Sequence, residues 1–231
     1  MTGIWNPGGT RITFSERVNG NTDLFETDLA NGGTTKLVYH SAQDKSPLAW
    51  SHDGKYLVYS VATGDNNVDY MVLPQAEPRA PYLILKTIRV RPQATVSISP
   101  NDHWIAFTSA ESGMSQIYVS PFPAASDSKY QVSVEGGGEP TWGRSGQSIY
   151  FLSRLNRMMR MDLTMKNGII ATKPQELFPN RAVNDIQEIA GAVDYVLLPD
   201  GPQFVVRTTV PQHAAADLDV LVNSQQLLGA K

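Results

Sequence analysis

The stretch Trp50-Ser51-His52-Asp53-Gly54, followed by Leu57 and Tyr59, has the pattern of a tight turn that leads into an alternating apolar strand. This pattern occurs five times along the chain with identical internal offsets, and its anchor residues are Trp5, Trp50, Ile98, Trp142 and Leu197. Successive anchors are 45, 48, 44 and 55 residues apart. Such spacing is typical of four-stranded propeller blades, and it predicts an all-β fold, a β-propeller with five recognisable blade repeats.

The repeat also predicts how the chain is divided. In the third copy, strands are predicted over 95–99, 104–108, 116–119 and 130–133, separated by turns that contain Gly, Asn or Asp. We expect one propeller domain over 1–231, and its blades are predicted at about 1–45, 46–92, 93–136, 137–190 and 191–231.

The fifth copy is expected to be incomplete. Its last recognisable strand is predicted over 218–223, after a connection in which 184–190 has the pattern of a short helical turn. A missing outer strand leaves an unpaired sheet edge, and such edges promote association. We therefore expect this chain to be the carboxyl-terminal part of a larger propeller, with a self-closed five-bladed ring as the alternative, and an unpaired edge of this kind would allow self-association.

Composition narrows the classes of partner. The chain has 231 residues, 41% of them hydrophobic, and 19 Lys and Arg against 22 Asp and Glu. A nearly balanced charge argues against nucleic acid as a partner. No cysteine is present, which excludes thiolate catalysis and thiolate metal sites. Because no stretch approaches ~20 apolar residues, we expect no membrane span in this chain.

Several strings resemble one family of propellers. They are Trp50-Ser-His-Asp-Gly54, Ser99-Pro-Asn-Asp102 with Trp104-Ile-Ala-Phe107, Ile117-Tyr-Val-Ser-Pro-Phe-Pro123 and Gly136-Gly-Gly-Glu-Pro-Thr-Trp142. They are similar to the TolB-type (WD-like) propeller repeat and, more narrowly, to the propeller on the carboxyl side of many bacterial serine/threonine protein kinases. The chain departs from that kinase group at Ser224, where the group has Trp, and it lacks Pro-Asp in copies one and four.

This resemblance implies a fold and a range of roles. TolB-like propellers are found in periplasmic envelope proteins, in sensor regions of kinases and in gating domains of serine peptidases. The resemblance therefore implies a bacterial binding or sensor domain with a periplasmic or other extracytoplasmic location. The residues themselves give no compartment.

No catalytic motif is recognisable in the sequence. The glycine-rich loop, strand lysine and catalytic-loop Asp of a kinase are missing, and no Gly-x-Ser-x-Gly elbow surrounds the repeated serines, which are Ser15, Ser60, Ser109 and Ser153. The four histidines are dispersed, so we expect neither a metal site nor a cofactor. The interpretation is a protein that is not an enzyme.

Variable loops are the predicted binding surface, because rigid strands that carry variable loops are a common basis for recognition. Arginines are enriched in the fourth copy, where Arg154, Arg157 and Arg160 follow Arg144. They are candidates for binding a carboxylate or phosphate on a protein or peptide partner, and solvated surface charge is the alternative. The loop with Asp65, Asn66 and Asn67 is the second candidate, with an ordinary hairpin turn as its alternative.

Two other roles are open at this point. One is a substrate-gating propeller of a prolyl oligopeptidase-type serine peptidase, which would need a hydrolase domain elsewhere. The other is a metal-dependent lyase or lactonase with its site in the propeller channel, which would need clustered metal ligands.

Overall fold

The computed structural model describes residues 3–64, 67–87, 95–124, 128–165, 168–179, 195–198 and 203–206. Within these ranges every helix or strand element is a β-strand, and none is a helix. The strands form five successive antiparallel sheets, which make up a partial propeller. The predicted all-β propeller fold is confirmed. No helix that could cross a membrane occurs among these residues.

The first three sheets, which we call the first, second and third blades, each contain four strands in chain order. The first blade contains β1 (Gly3–Trp5), β2 (Arg11–Val18), β3 (Asn21–Asp28) and β4 (Thr34–Tyr39). The second contains β5 (Lys45–Trp50), β6 (Tyr56–Gly64), β7 (Asn67–Pro74) and β8 (Tyr82–Thr87). The third contains β9 (Val96–Ile98), β10 (Trp104–Ser109), β11 (Gln116–Pro121) and β12 (Tyr130–Gln131).

The fourth blade has a divided outer strand. Its strands are β13 (Gly138–Trp142), β14 (Ser148–Leu152), β15 (Arg157–Thr164), β16 (Ile170–Ala171) and β17 (Gln175–Pro179), and the last two both pair with β15. The fifth blade is described by β18 (Tyr195–Leu197) and β19 (Phe204–Val206). The predicted strand over 218–223 and the helical turn over 184–190 lie outside the described residues, and the blade boundaries stay a prediction.

The sequence repeat is a repeat of strand register. In every blade the anchor is the last residue of the first strand, and it pairs with the residue seven positions later. The pairs are Trp5 with Ile12, Trp50 with Leu57, Ile98 with Ile105, Trp142 with Ile149 and Leu197 with Phe204. The identical offsets in the sequence thus correspond to identical pairing in space.

Four of the turns between first and second strands share one backbone conformation. They span 6–10, 51–55, 99–103 and 143–147. In each, the fourth residue donates its N–H to the carbonyl of the first and has a positive φ. Gly occupies this position in three turns, and Asp102, with φ 56°, occupies it in the third blade. Left-handed backbone favours Gly but accepts Asp, so Asp102 is an exception that calls for a cause.

The core lies between the sheets. Leu24 of the first blade packs with Trp50, Leu57 and Tyr59 of the second, and equivalent clusters join each later pair of blades. Trp5 is the exception among the three anchor tryptophans: it is 56% exposed, whereas Trp50 is 9% and Trp142 5% exposed. The difference arises because no described sheet covers the Trp5 side of the first blade.

Candidate functional site

Each blade has two ends that differ in character. We call the end with the five-residue turns the turn face. The opposite end, which we call the loop face, has the loops between second and third strands and the connections from one blade to the next. The predicted binding residues belong to the second and fourth blades, but Arg157 begins β15 and Arg160 lies within it, so Arg160 is not a loop residue.

A buried ion pair stabilises the loop face between the first two blades. The side chain of Lys45 is 0% exposed, and its Nζ lies 2.9 Å from Oδ1 of Asp23. The ammonium group also contacts the carbonyl oxygens of Thr22, Ser41 and Gln43 at 2.6 to 3.1 Å. A buried cation needs this kind of complete hydrogen bonding, because its desolvation is expensive. Lys45 therefore fixes the connection between the first two blades against the start of β3.

Asp23 is the shared acceptor of this cluster. His40 Nδ1 lies 2.7 Å from its other carboxylate oxygen. Burial alone would raise the pKa of Asp23, but the hydrogen bonds and charges of His40 and Lys45 outweigh burial and lower it. The carboxylate thus stays ionised in the interior at neutral pH.

In the third blade, Gln116 stabilises the connection to the next blade through hydrogen bonds between uncharged groups. It holds the position in β11 that Asp23 holds in β3. Its Oε1 accepts from Ser133 Oγ at 2.6 Å and from Gly136 N at 3.0 Å, and its Nε2 donates to Val134 O. The connection into the fourth blade is thereby tied down. Neither set of hydrogen bonds was predicted from the sequence, in which Lys45 and Gln116 have the polar character of surface residues.

The structure separates the predicted arginines. Arg157 is paired with Glu176, and Arg160 with Asp162 of the same strand at 2.8 Å. Arg154 is exposed in the loop before β15, and its aliphatic stem lies over Gly136, where an added Cβ would meet Arg154 Cδ at 2.3 Å. Arg144 lies in the turn 143–147, on the turn face. Arg154 is thus the arginine of the loop face that makes no ion pair with any described residue.

The second candidate loop is only partly described. Asn67 begins β7 and pairs with Gly64, so it belongs to the loop face of the second blade. Asp65 and Asn66 lie outside the described residues.

The turn face contains a side-chain clamp between the second and third blades. Oδ1 of Asp102 accepts from the backbone N–H of His52 at 2.8 Å and lies 2.9 Å from His52 Nδ1. Oδ2 accepts from the backbone N–H of Asp53 at 2.9 Å. These contacts explain why Asp102 occupies a turn position that suits Gly, since Gly could not reach the neighbouring blade.

A cleft opens on the turn face between the third and fourth blades. Its volume is about 530 Å³. Its lining comes from the two five-residue turns and from the end of β15, and consists of Pro100, Asn101, Ser145, Gly146, Gln147, Leu163, Thr164 and Met165. No acidic or basic side chain lines it, and its polar side chains are amides and hydroxyls. The sequence comparison of the loops gave no indication of this cleft.

Metal-ligating side chains are not clustered in the part of the chain described. No group of three or more His, Asp or Glu residues there is arranged to hold a metal ion.

Comparisons with known proteins identify similar propellers. No protein-family profile matches the chain. It is 26% identical over 179 residues to the Tol-Pal system protein TolB of Francisella tularensis subsp. mediasiatica, a match that covers 73% of this chain and 39% of the relative. The chain thus spans about two fifths of the length of that curated relative.

Solved structures agree on the fold. TolB from Acinetobacter baumannii superimposes with a TM-score of 0.59 at 17% identity, covering 80% of this chain and 44% of that one. A structure described as TolB from Agrobacterium tumefaciens gives 0.55 at 20% identity, covering 76% and 65%. An oligogalacturonate lyase in complex with manganese also gives 0.59, at 12% identity over 88% of this chain and 57% of that one. Enzymes and TolB proteins therefore share this scaffold.

The five repeats in one register, the curated TolB relative and the TolB structures agree with one another. The chain has a β-propeller fold that is similar to that of TolB proteins.

Proposed function

We propose that this chain is a non-catalytic binding or sensing module that recognises a protein, a peptide or a cell-envelope component through its loop face. The similarity to a Tol-Pal system protein supports a protein partner and a periplasmic or other extracytoplasmic location. The narrower similarity to kinase-attached propellers is compatible with a sensing role and remains a prediction.

The observation that carries this proposal is the exposed guanidinium of Arg154 on a rigid support. The loop before β15 is closed by a hydrogen bond in which the backbone N–H of Arg157 donates to Oγ of Ser153 at 3.2 Å. The aliphatic stem of Arg154 lies against Gly136. Gly136 is itself bonded to Gln116. A cation that is held in place loses less conformational entropy on binding, which favours recognition of a carboxylate or phosphate.

The test compares two exposed arginines on opposite faces. Peptides are selected from a random library displayed on phage, with the wild-type protein as the target, and their affinities are measured by fluorescence polarisation. We expect R154E to weaken the selected acidic peptides by about tenfold or more, and R79E, between β7 and β8 at the turn face of the second blade, to change them by less than about twofold. Equal affinities for wild type and R154E, or a failure to select any peptide, would reject the loop face as the binding surface.

Neither enzymatic alternative is proposed. A lyase or lactonase in the channel needs a metal site, and a peptidase role needs a hydrolase domain. No contact among the described residues favours either of them.

A further inference from the structure

The cleft on the turn face lies where the interblade clamp is missing. Asp102 of the third blade reaches the turn 51–55 of the second blade. One blade further on, Gly146 holds the position of Asp102, and Pro100 and Asn101 hold those of His52 and Asp53. Gly146 has no carboxylate to offer, and Pro100 has no N–H to donate. The clamp therefore cannot form between the third and fourth blades.

The equivalence is geometric as well as sequential. Gly146 and Asp102 have the same backbone conformation, with φ 68° and 56°. A Cβ added to Gly146 would meet Pro100 Cδ at 3.7 Å, so position 146 faces the third-blade turn as Asp102 faces the second-blade turn. Gly146 and Pro100 are both in the lining of the cleft.

One donor is left without an acceptor as a result. The backbone N–H of Asp53 donates to Asp102, whereas the equivalent N–H of Asn101 has no acceptor among the described residues. The side chain of Asn101 accepts from Ser99 Oγ and His103 N, which fixes the turn and with it the direction of this N–H. The site is thus preorganised to receive an oxygen acceptor where a carboxylate lies in the neighbouring pair of blades.

No charged side chain is in the lining, but the cation nearest to it in sequence favours an anionic acceptor. Arg144, in the same turn as Ser145 and Gly146, is exposed and has no described ion-pair partner. Two acidic groups on the adjoining elements are occupied: Asp102 is bound by the second-blade turn, and Asp162 is paired with Arg160. Leu163 and Met165 offer an apolar surface next to the polar rim.

We propose that this cleft binds an acidic side chain, Asp or Glu, of a peptide segment. The carboxylate takes the place that Asp102 fills one blade earlier, accepting from the Asn101 N–H, with Arg144 supplying the charge. Flanking apolar atoms of the segment lie on Leu163 and Met165. The site is on the face opposite to Arg154 and is independent of the function proposed above.

Backbone amide NMR tests the site directly. The ¹⁵N-labelled protein is titrated with two neutral-capped tripeptides, Ac-Gly-Asp-Gly-NH₂ and Ac-Gly-Asn-Gly-NH₂. We expect the amide signal of Asn101 to move downfield with the Asp peptide, which should bind at least about fivefold more tightly than the Asn peptide. Equal responses to both peptides, or no response at Asn101, would overturn the proposal.

Two substitutions at equivalent turn positions sharpen the test. Gly146→Asp places an internal carboxylate over Asn101 and should abolish the response to the Asp peptide while shifting the Asn101 signal in the free protein. Gly54→Asp adds the same charge at φ 72° in the second blade, away from the cleft, and should leave the response unchanged.

Two arginine variants test the contribution of charge. R144Q should weaken binding of the Asp peptide about threefold or more and leave binding of the Asn peptide unchanged. Unchanged binding in both G146D and R144Q would refute the site. R154E separates the two hypotheses, because it should not alter this titration.

Discussion

The indole N–H of Trp50 donates to the hydroxyl of Thr13 at 3.1 Å, and this hydrogen bond joins the second blade to the first. Both groups are buried. The fourth blade has the same anchor in Trp142, but the residue equivalent to Thr13 in the blade before it is Ala106. Trp142 Nε1 accordingly has no hydrogen-bond partner among the described residues. Two identical anchors thus differ by one hydroxyl group.

The first prediction removes that hydroxyl. Thr13→Val keeps the shape of the side chain and leaves the indole N–H of Trp50 buried without an acceptor, which should lower the free energy of unfolding by about 1 to 3 kcal/mol. Urea unfolding followed by tryptophan fluorescence measures the change. Thr27→Val is the matched control on the neighbouring strand, where the hydroxyl contacts Thr35 in an exposed position. A similar loss in both variants would show that the Trp50 contact is not the cause.

The second prediction supplies the missing hydroxyl. Ala106→Ser adds one oxygen atom beside Trp142 and should raise the free energy of unfolding by about 1 kcal/mol through a new hydrogen bond. Ala106 is fully buried, so the gain depends on the indole N–H of Trp142 donating to this one oxygen atom. The same substitution in a Trp142→Phe background has no N–H to satisfy and should not stabilise. Equal effects in the two backgrounds would contradict the hydrogen bond.

The third prediction compares anchors that differ in burial. Trp5 and Trp50 have the same register, but Trp5 is 56% exposed and Trp50 is 9% exposed. Trp50→Ala should cost about 3 to 5 kcal/mol, because it opens a cavity between two blades. Trp5→Ala should cost less than about 1 kcal/mol. Equal destabilisation by the two substitutions would show that Trp5 is covered in solution.

The sequence predicted those parts of the fold that depend on local pattern. Alternation and turn residues set the strands, the anchor positions and the five-residue turns, because these features are encoded within about ten consecutive residues. The side-chain contacts between blades could not be predicted in this way. Lys45 and Asp23 are 22 residues apart in the sequence, and Asp102 and His52 are 50 apart. Each of these residues has the character of an exposed polar residue in the sequence, because its partner comes close only when the blades pack together.

The candidate site was predicted less completely for the same reason. Arg154 is exposed on the loop face, as its place beside a hairpin tip indicates, but the carboxylate partners of Arg157 and Arg160 depend on strand pairing in the fourth blade. The cleft at Gly146 depends on a comparison between blades at one turn position. That comparison becomes informative only when the contacts of Asp102 are seen.

The fourth prediction concerns the buried ion pair. Lys45→Met leaves Asp23 ionised in the interior without its main partner and should lower the free energy of unfolding by about 3 to 5 kcal/mol. The double variant Asp23→Leu with Lys45→Met replaces both charges by apolar groups and should cost less than Lys45→Met alone. Urea unfolding at neutral pH measures both. A double variant that is less stable than Lys45→Met would show that the pair is not strongly coupled.

The fifth prediction is the pH dependence that this pair imposes. Burial would raise the pKa of Asp23, but the hydrogen bonds and charges of His40 and Lys45 lower it below the ordinary value of 3.8. A lowered pKa in the folded state means that the carboxylate stabilises the fold fully above the unfolded value and that this stabilisation is lost as pH falls through the folded value. The free energy of unfolding of the wild type should therefore fall more steeply below about pH 4 than that of the Asp23→Leu, Lys45→Met variant, which has no carboxylate at this position. Urea unfolding at several pH values between about 5 and 2.5 measures both slopes, and parallel slopes would show that Asp23 is not a source of the acid sensitivity.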